Sequence, residues 1–166
     1  MIRTIGISRY ILFAILLLFT NFSTAGTDLH WLWDDRCAEC HGHSADFSRQ
    51  FLQVSDGQLQ GPHHTRNLKL FLRNHYAPAG EVEAIYDMLL AQVTTAPRFK
   101  VECSNCHDSA SQFIRDSIIV QNGELISRES GEPVREFMQT HRRLKQDDIE
   151  FFMNLLARVA GEVNLK

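Results

Sequence analysis

Displaced by 66 residues, the chain matches itself without a gap, and no other feature of the sequence restricts its fold as strongly. Cys37, Cys40 and His41 fall on Cys103, Cys106 and His107. Phe47 falls on Phe113, Arg49 on Arg115, Val54 on Val120, Gly57 on Gly123 and Leu59 on Leu125. Phe71 then meets Phe137, His75 meets His141, Leu89-Leu90-Ala91 meets Leu155-Leu156-Ala157, and Val93 meets Val159. These are 14 identities over the 57 positions from 37 to 93, with no loop insertion required. The chain therefore reads as one short unit used twice, each copy with its own local plan.

That plan is the same in both copies. A short helix is expected to begin near Asp34-Asp35 and to carry the first cysteine motif. A hairpin follows, turning at Asp56-Gly57 in copy one and Asn122-Gly123 in copy two, dipeptides that supply the positive φ angles of tight two-residue turns. A helix is expected over 65–75, with Thr65 as N-cap, and its counterpart over 133–141, with Pro133 at its start. A last helix is expected over 81–93 and again over 147–159, since positions 82, 85, 86, 89, 90 and 93 keep helical spacing. Ala77-Pro78-Ala79-Gly80 separates the last two elements, and Pro97 marks the seam between copies.

The amino terminus reads differently. Arg3 and Arg9 precede nine unbroken apolar residues, 11–19, and Ser23-Thr24-Ala25 then supplies small residues for a peptidase. Nine helical residues span about 14 Å, roughly half a bilayer core, so residues 1–25 are expected to be a cleaved secretory signal rather than an anchor. Export places the protein in the periplasm, with membrane association only if this segment is retained. Losing both arginines leaves 15 basic against 20 acidic residues, taking the formal charge from −3 to −5. Such an acidic chain does not suit nucleic-acid binding. The remaining division is 26–95 and 96–166.

Cys37-Ala38-Glu39-Cys40-His41 and Cys103-Ser104-Asn105-Cys106-His107 are both CxxCH, the attachment signature of c-type haem. Two thiols three residues apart can meet the two vinyl groups of one porphyrin edge, and the next residue then offers an imidazole to the iron. All four cysteines, Cys37, Cys40, Cys103 and Cys106, are consumed as thioethers, with His41 and His107 as proximal ligands. A zinc site built from both pairs would need them about 15–20 residues apart and would leave both histidines unexplained. A thioredoxin-like dithiol would need a βαβ frame, which neither motif has.

With two CxxCH motifs on short helices, the mature chain resembles the dihaem c-type cytochromes of the bacterial periplasm. The duplication, the turn dipeptides and this resemblance together give the expected fold as mainly α: two tandem small cytochrome-c-like haem domains, each with a short β-hairpin. The resemblance also implies two covalently bound haem c groups and single-electron transfer between protein donors and acceptors, without substrate chemistry. Two other readings follow from the same motifs. One is a haem enzyme or gas-binding sensor with one five-coordinate or exchangeable iron; the other is the electron-transfer subunit of a larger periplasmic oxidoreductase.

The sixth ligand decides between carrier and enzyme. Leu68, Phe71, Leu72 and His75 follow one another at i, i+3, i+4 and i+7, and Val134, Phe137, Met138 and His141 repeat the pattern. Each histidine lies 34 residues after its proximal partner, so His75 and His141 are the expected distal ligands. Met88 and Met153 do not coincide in the repeat, and with Met138 they read as gap-filling core residues. His30, His43, His63 and His64 have no counterparts and are read mainly as exposed or haem-edge residues, though His63 or His64 could replace His75. Arg49 and Arg115 could meet haem propionates or lie solvated, and Trp31 and Trp33 are expected to pack against the first haem.

Overall fold

The computed structural model describes residues 26–62 and 67–164. The proposed signal segment, Thr65, and His63 and His64 lie outside the described residues. The chain is mainly helical with two small antiparallel hairpins.

Helix α1, Leu29–Arg36, opens where the Asp28 carboxylate accepts a hydrogen bond from the Trp31 N–H at 2.9 Å. It therefore starts earlier than Asp34-Asp35, which fall in its last turn. The Cys37 backbone separates it from α2, Ala38–His41, so the motif sits at a helix junction rather than within one helix. Gly42, at φ 67° and ψ −157°, follows α2 in a positive-φ conformation that glycine adopts without a side-chain clash. Helix α3, Ser44–Phe51, leads into strands β1, Gln53–Ser55, and β2, Gln58–Gln60. Asp56 and Gly57 both have positive φ, as the two-residue turn requires.

Helix α4, Leu68–Arg73, is capped by Asn67, whose side chain accepts from the Leu70 N–H at 2.9 Å. It is shorter than expected and ends before His75. A 3₁₀ turn, Ala79–Glu81, then feeds α5, Val82–Thr94.

The second half keeps the order of the longer elements but differs in three places: a π-helical turn, Phe99–Cys103, stands where the first half has α1, and neither α2 nor the 3₁₀ turn has a counterpart. Then come α6, Ala110–Ser117, strands β3, Ile118–Gln121, and β4, Glu124–Ser127, and helices α7, Val134–Thr140, and α8, Gln146–Glu162. Asn122 and Gly123 turn the second hairpin, again both at positive φ.

Buried apolar side chains form two clusters. One runs from Leu29 to Leu89 and centres on Leu59, Val82, Met88 and Leu89; the other runs from Phe99 to Val163 and centres on Ile114, Phe152 and Leu156. Each hairpin and each last helix packs into the cluster of its own half.

The ungapped register does not survive in the last helices. Val82, Ile85, Met88, Leu89 and Gln92 are buried in α5, and Ile149, Phe152, Leu155, Leu156 and Val159 are buried in α8. Those sets match at a displacement of 67, not 66. The extra residue lies after His141, where Arg142 and Arg143 are both left-handed, at φ 57° and 55°. After His75 only Tyr76, at φ 58°, takes that conformation. The leucine pairs hide the slip in the sequence, because adjacent leucines still match after a one-residue shift.

Ion pairs cross the seam between halves. Arg115 meets Asp28 at 2.7 and 3.0 Å, Lys100 meets Asp46 at 2.7 Å, and buried His30 meets buried Glu162 at 2.8 Å. Burial alone would raise the Asp28 carboxyl, but Arg115 and the Trp31 N–H outweigh it and hold it below the ordinary aspartate value.

Candidate haem-binding crevices

Each CxxCH segment is wound into a single turn. The Cys37 carbonyl accepts from the Cys40 N–H at 3.2 Å and from the His41 N–H at 3.0 Å; the Cys103 carbonyl accepts from Cys106 and His107 at 3.1 and 3.0 Å. The i, i+3 and i+4 positions of such a turn share one face, so both thiols and the imidazole address the same space. All four thiols are free; Cys40 and Cys106 are exposed, while Cys37 and Cys103 are half-buried. Burial pushes the Cys37 and Cys103 thiols up, so neither is held as a reactive thiolate. Cys37 packs on the first cluster and Cys103 on the second, so the two pairs serve separate sites.

Across each turn stands a second imidazole. The His41 and His75 ring centroids are 5.9 Å apart, and those of His107 and His141 are 6.4 Å apart. A metal–imidazole bond of about 2.0 Å and a ring radius of about 1.2 Å would put two imidazoles on opposite sides of one iron about 6.4 Å apart, centroid to centroid. The His107–His141 pair meets that spacing and the His41–His75 pair, at 5.9 Å, falls slightly short of it, so the residues present fit a haem held between two imidazoles in each half. No cluster of three or more His, Cys, Asp or Glu side chains among the described residues is arranged to hold a metal ion.

His75 and His141 arrive at these positions differently from the sequence expectation. They do not extend the apolar stripe of α4 and α7, because those helices end at Arg73 and Thr140. Each sits in the turn beyond, immediately before the left-handed Tyr76 or Arg142, and each stacks on the phenylalanine of its helix. His75 lies 4.6 Å from Phe71, and His141 lies 4.8 Å from Phe137, centroid to centroid.

On the proximal side the halves also agree. Phe47 lies 4.6 Å from His41, as Phe113 does from His107. Trp33 backs His41 at 6.2 Å, and Phe99 backs His107 at 6.4 Å. Trp33 and Phe99 correspond at the displacement of 66 but differ in type, so a search for identities passes over them. Aromatic character at matched positions was the available signal. Trp33 also donates its indole N–H to the Gly42 carbonyl at 2.9 Å, whereas Trp31 is exposed.

In the first half these groups line a crevice of about 340 Å³, walled by Phe51, Leu52, Leu68, Leu72, Ile85 and Leu89 besides the motif and His75. That volume is in the range of sites for organic ligands. The enclosure has an electrostatic consequence: burial, and then the neighbouring His75, lower the basicity of His41. In the second half burial, His107 and Arg142 lower that of His141. Both effects favour neutral imidazoles, the form that ligates iron.

The methionines stand apart from these walls. Met88 is fully buried in the first cluster, Met138 is buried in the second, and Met153 packs on its edge. Of the unmatched histidines, His30 is 9% exposed and bonded to Glu162, contrary to the exposed or haem-edge reading. His43 is exposed and caps α3, its Nδ1 accepting from the Ala45 N–H. Arg49 and Arg115 face the seam rather than the first crevice: Arg115 is paired with Asp28, and Arg49 reaches the Ala45 and Thr95 carbonyls. Arg49 does not line that crevice, because two positions along α3 from Phe47 is the opposite face of the helix.

No helix among the described residues is long and apolar enough to cross a membrane. Comparison with protein-family models, curated proteins and solved structures produced no match to this chain.

Proposed function

We propose that this chain is an exported dihaem cytochrome c, built by internal duplication, that passes single electrons between protein partners in the periplasm. Cys37 and Cys40 would hold one haem c and Cys103 and Cys106 the other, with His41 and His107 as proximal ligands and His75 and His141 as distal ligands. The observation that carries this reading is the paired-imidazole geometry, repeated at 5.9 and 6.4 Å over two identically hydrogen-bonded CxxCH turns. Bound there, each haem supplies a one-electron ferric–ferrous couple.

The protein's share of the work is positional. Phe47 and Phe113 fix the proximal rings, Phe71 and Phe137 fix the distal rings, and the apolar walls exclude water from the first crevice. With His41 and His75 holding one haem and His107 and His141 the other, neither iron would keep an open position, and electron transfer rather than ligand activation would be the chemistry. An enzyme or gas sensor would need one of the two distal rings to leave.

Export of the full chain in a host that attaches haem c, followed by intact-mass measurement and absorption spectroscopy, tests the proposal. Two covalent haems and an oxidised spectrum without a methionine-sulfur-to-iron band are expected. An unmodified chain would overturn it, and rapid stoichiometric carbon monoxide binding to the reduced protein would move the function to an open-site enzyme or sensor.

A further inference from the structure

The distal turns differ in charge although their imidazole geometry is shared. Tyr76 follows His75 and is exposed and uncharged. At the same place after His141 stands Arg142, whose guanidinium donates to the Glu102 carbonyl, immediately before Cys103. Arg142 thus ties the distal turn to the attachment turn, and its charge lies beside both. Arg143 adds a second cation in the next left-handed position.

The facing groups reinforce the contrast. Between its cysteines the first motif has Glu39, where the second has Asn105. Near the first motif Arg36 is already paired with Asp35 at 2.9 Å, and Asp34 adds an acid. The acids near the second motif are Glu102 and Asp148, both bound to Arg98 at 2.6 and 2.7 Å, and Asp108, which follows His107. Arg142 is therefore added to a neighbourhood whose main carboxylates are engaged; the cation nearest His75 along the chain in the first half, Arg73, lies before the histidine and faces Glu83 at 4.0 Å instead of the attachment turn.

We propose that Arg142 makes the second crevice the higher-potential haem site, so that the first electron accepted by the oxidised protein comes to rest in the carboxy-terminal half. This inference rests on the dihaem reading above. Reducing a ferric haem to the ferrous state lowers the charge of the site by one, so a fixed cation at its edge favours the reduced form. Arg142 is exposed, and added salt should weaken its influence. It is a positioning and tuning residue rather than a ligand.

Potentiometric titration of the matured full-length protein tests this. Two one-electron transitions are expected. In Arg142→Gln the ferrous-to-ferric ratio of the higher-potential haem at fixed potential should fall about three- to tenfold, tenfold being about 59 mV for one electron. The other transition should stay in place, and Arg142→Lys should restore most of the loss. Tyr76→Arg, which places a cation in the first half, should raise the lower transition and narrow the gap. Two bis-histidine haems whose transitions ignore Arg142→Gln, or a shift confined to the lower transition, would overturn the inference while leaving the dihaem reading intact. A chain without covalent haem, or with methionine ligation, would remove both.

Discussion

The two halves arrive at one site geometry from different scaffolds. The amino-terminal half leads into its motif through the eight-residue helix α1 and backs His41 with Trp33; the carboxy-terminal half uses a five-residue π-helical turn and backs His107 with Phe99. The first crevice is walled by apolar side chains, whereas near its motif the second half carries the Arg98–Glu102–Asp148 group and Arg142. What they share is narrower: the hydrogen-bonded CxxCH turn, a phenylalanine beside each imidazole, the hairpin, and a left-handed residue after His75 and after His141. Those are the parts that set two rings on opposite sides of one space, and the rest is free to change. π-helical turns often mark functional positions, and this one carries Cys103.

The largest effect should come from removing one motif at a time. Cys37→Ala/Cys40→Ala and Cys103→Ala/Cys106→Ala should each remove one of two covalent haems, read by intact mass. Each should also cost helicity in the altered half, because a unit of this size has little core of its own. If either double variant keeps two haems, the two motifs are not equivalent. Next in size, Leu156→Ala and Leu89→Ala truncate fully buried side chains at matched places in the two clusters. Each should cost about 2–5 kcal/mol in denaturant unfolding. Equal costs would support matched cores, and a small cost in one half would break the comparison.

Ligand replacement gives a redox contrast. His75→Met or His141→Met should raise the potential of the altered haem alone and introduce a sulfur-to-iron absorption band. A more modest comparison uses the hairpins. Gly57 and Gly123 sit at φ 72° and 80° with open space where a Cβ would go, so alanine there tests backbone strain without a clash. Each change should cost about 1–2 kcal/mol, equally in both halves, in thermal unfolding.

The smallest effect concerns the seam. Arg115→Gln removes the partner of Asp28 and should cost less than about 1 kcal/mol near neutral pH. The Asp28 carboxyl lies below its ordinary value, so the pair stabilises the fold above about pH 3.9, the unfolded aspartate value, and that contribution is lost as pH falls through the lower folded value. The stabilities of Arg115→Gln and the unaltered protein should therefore converge in acid, and a difference that persists there would mean that the pair does not account for the effect.

Much of the local plan was legible because it is written in short-range chemistry. Asp56-Gly57 and Asn122-Gly123 declare their turns, Pro133 marks the start of α7, and the two CxxCH motifs declare their own spacing. The last helices were found within one to three residues of their ends because their apolar positions recur at helical spacing. The start of α1 was missed because the acidic pair Asp34-Asp35 drew attention from the real cap, Asp28. The one-residue slip before α8 was hidden by leucines that match in either register. His30 and Arg49 could not be placed at all, since their partners, Glu162 and the Thr95 carbonyl, are distant in sequence.

By itself, then, the sequence determined most of the elements and the CxxCH spacing, since each depends on residues within a few positions of one another, and its internal match showed which histidines recur. Tertiary structure decided which recurring groups face each other. It placed His75 opposite His41 and His141 opposite His107 from turns rather than helix faces, drew the cysteine pairs to separate clusters, and turned Arg49 and Arg115 toward the seam. The physical reason is that these contacts depend on how helices end and how apolar faces bury one another, which brings together groups that no local pattern connects.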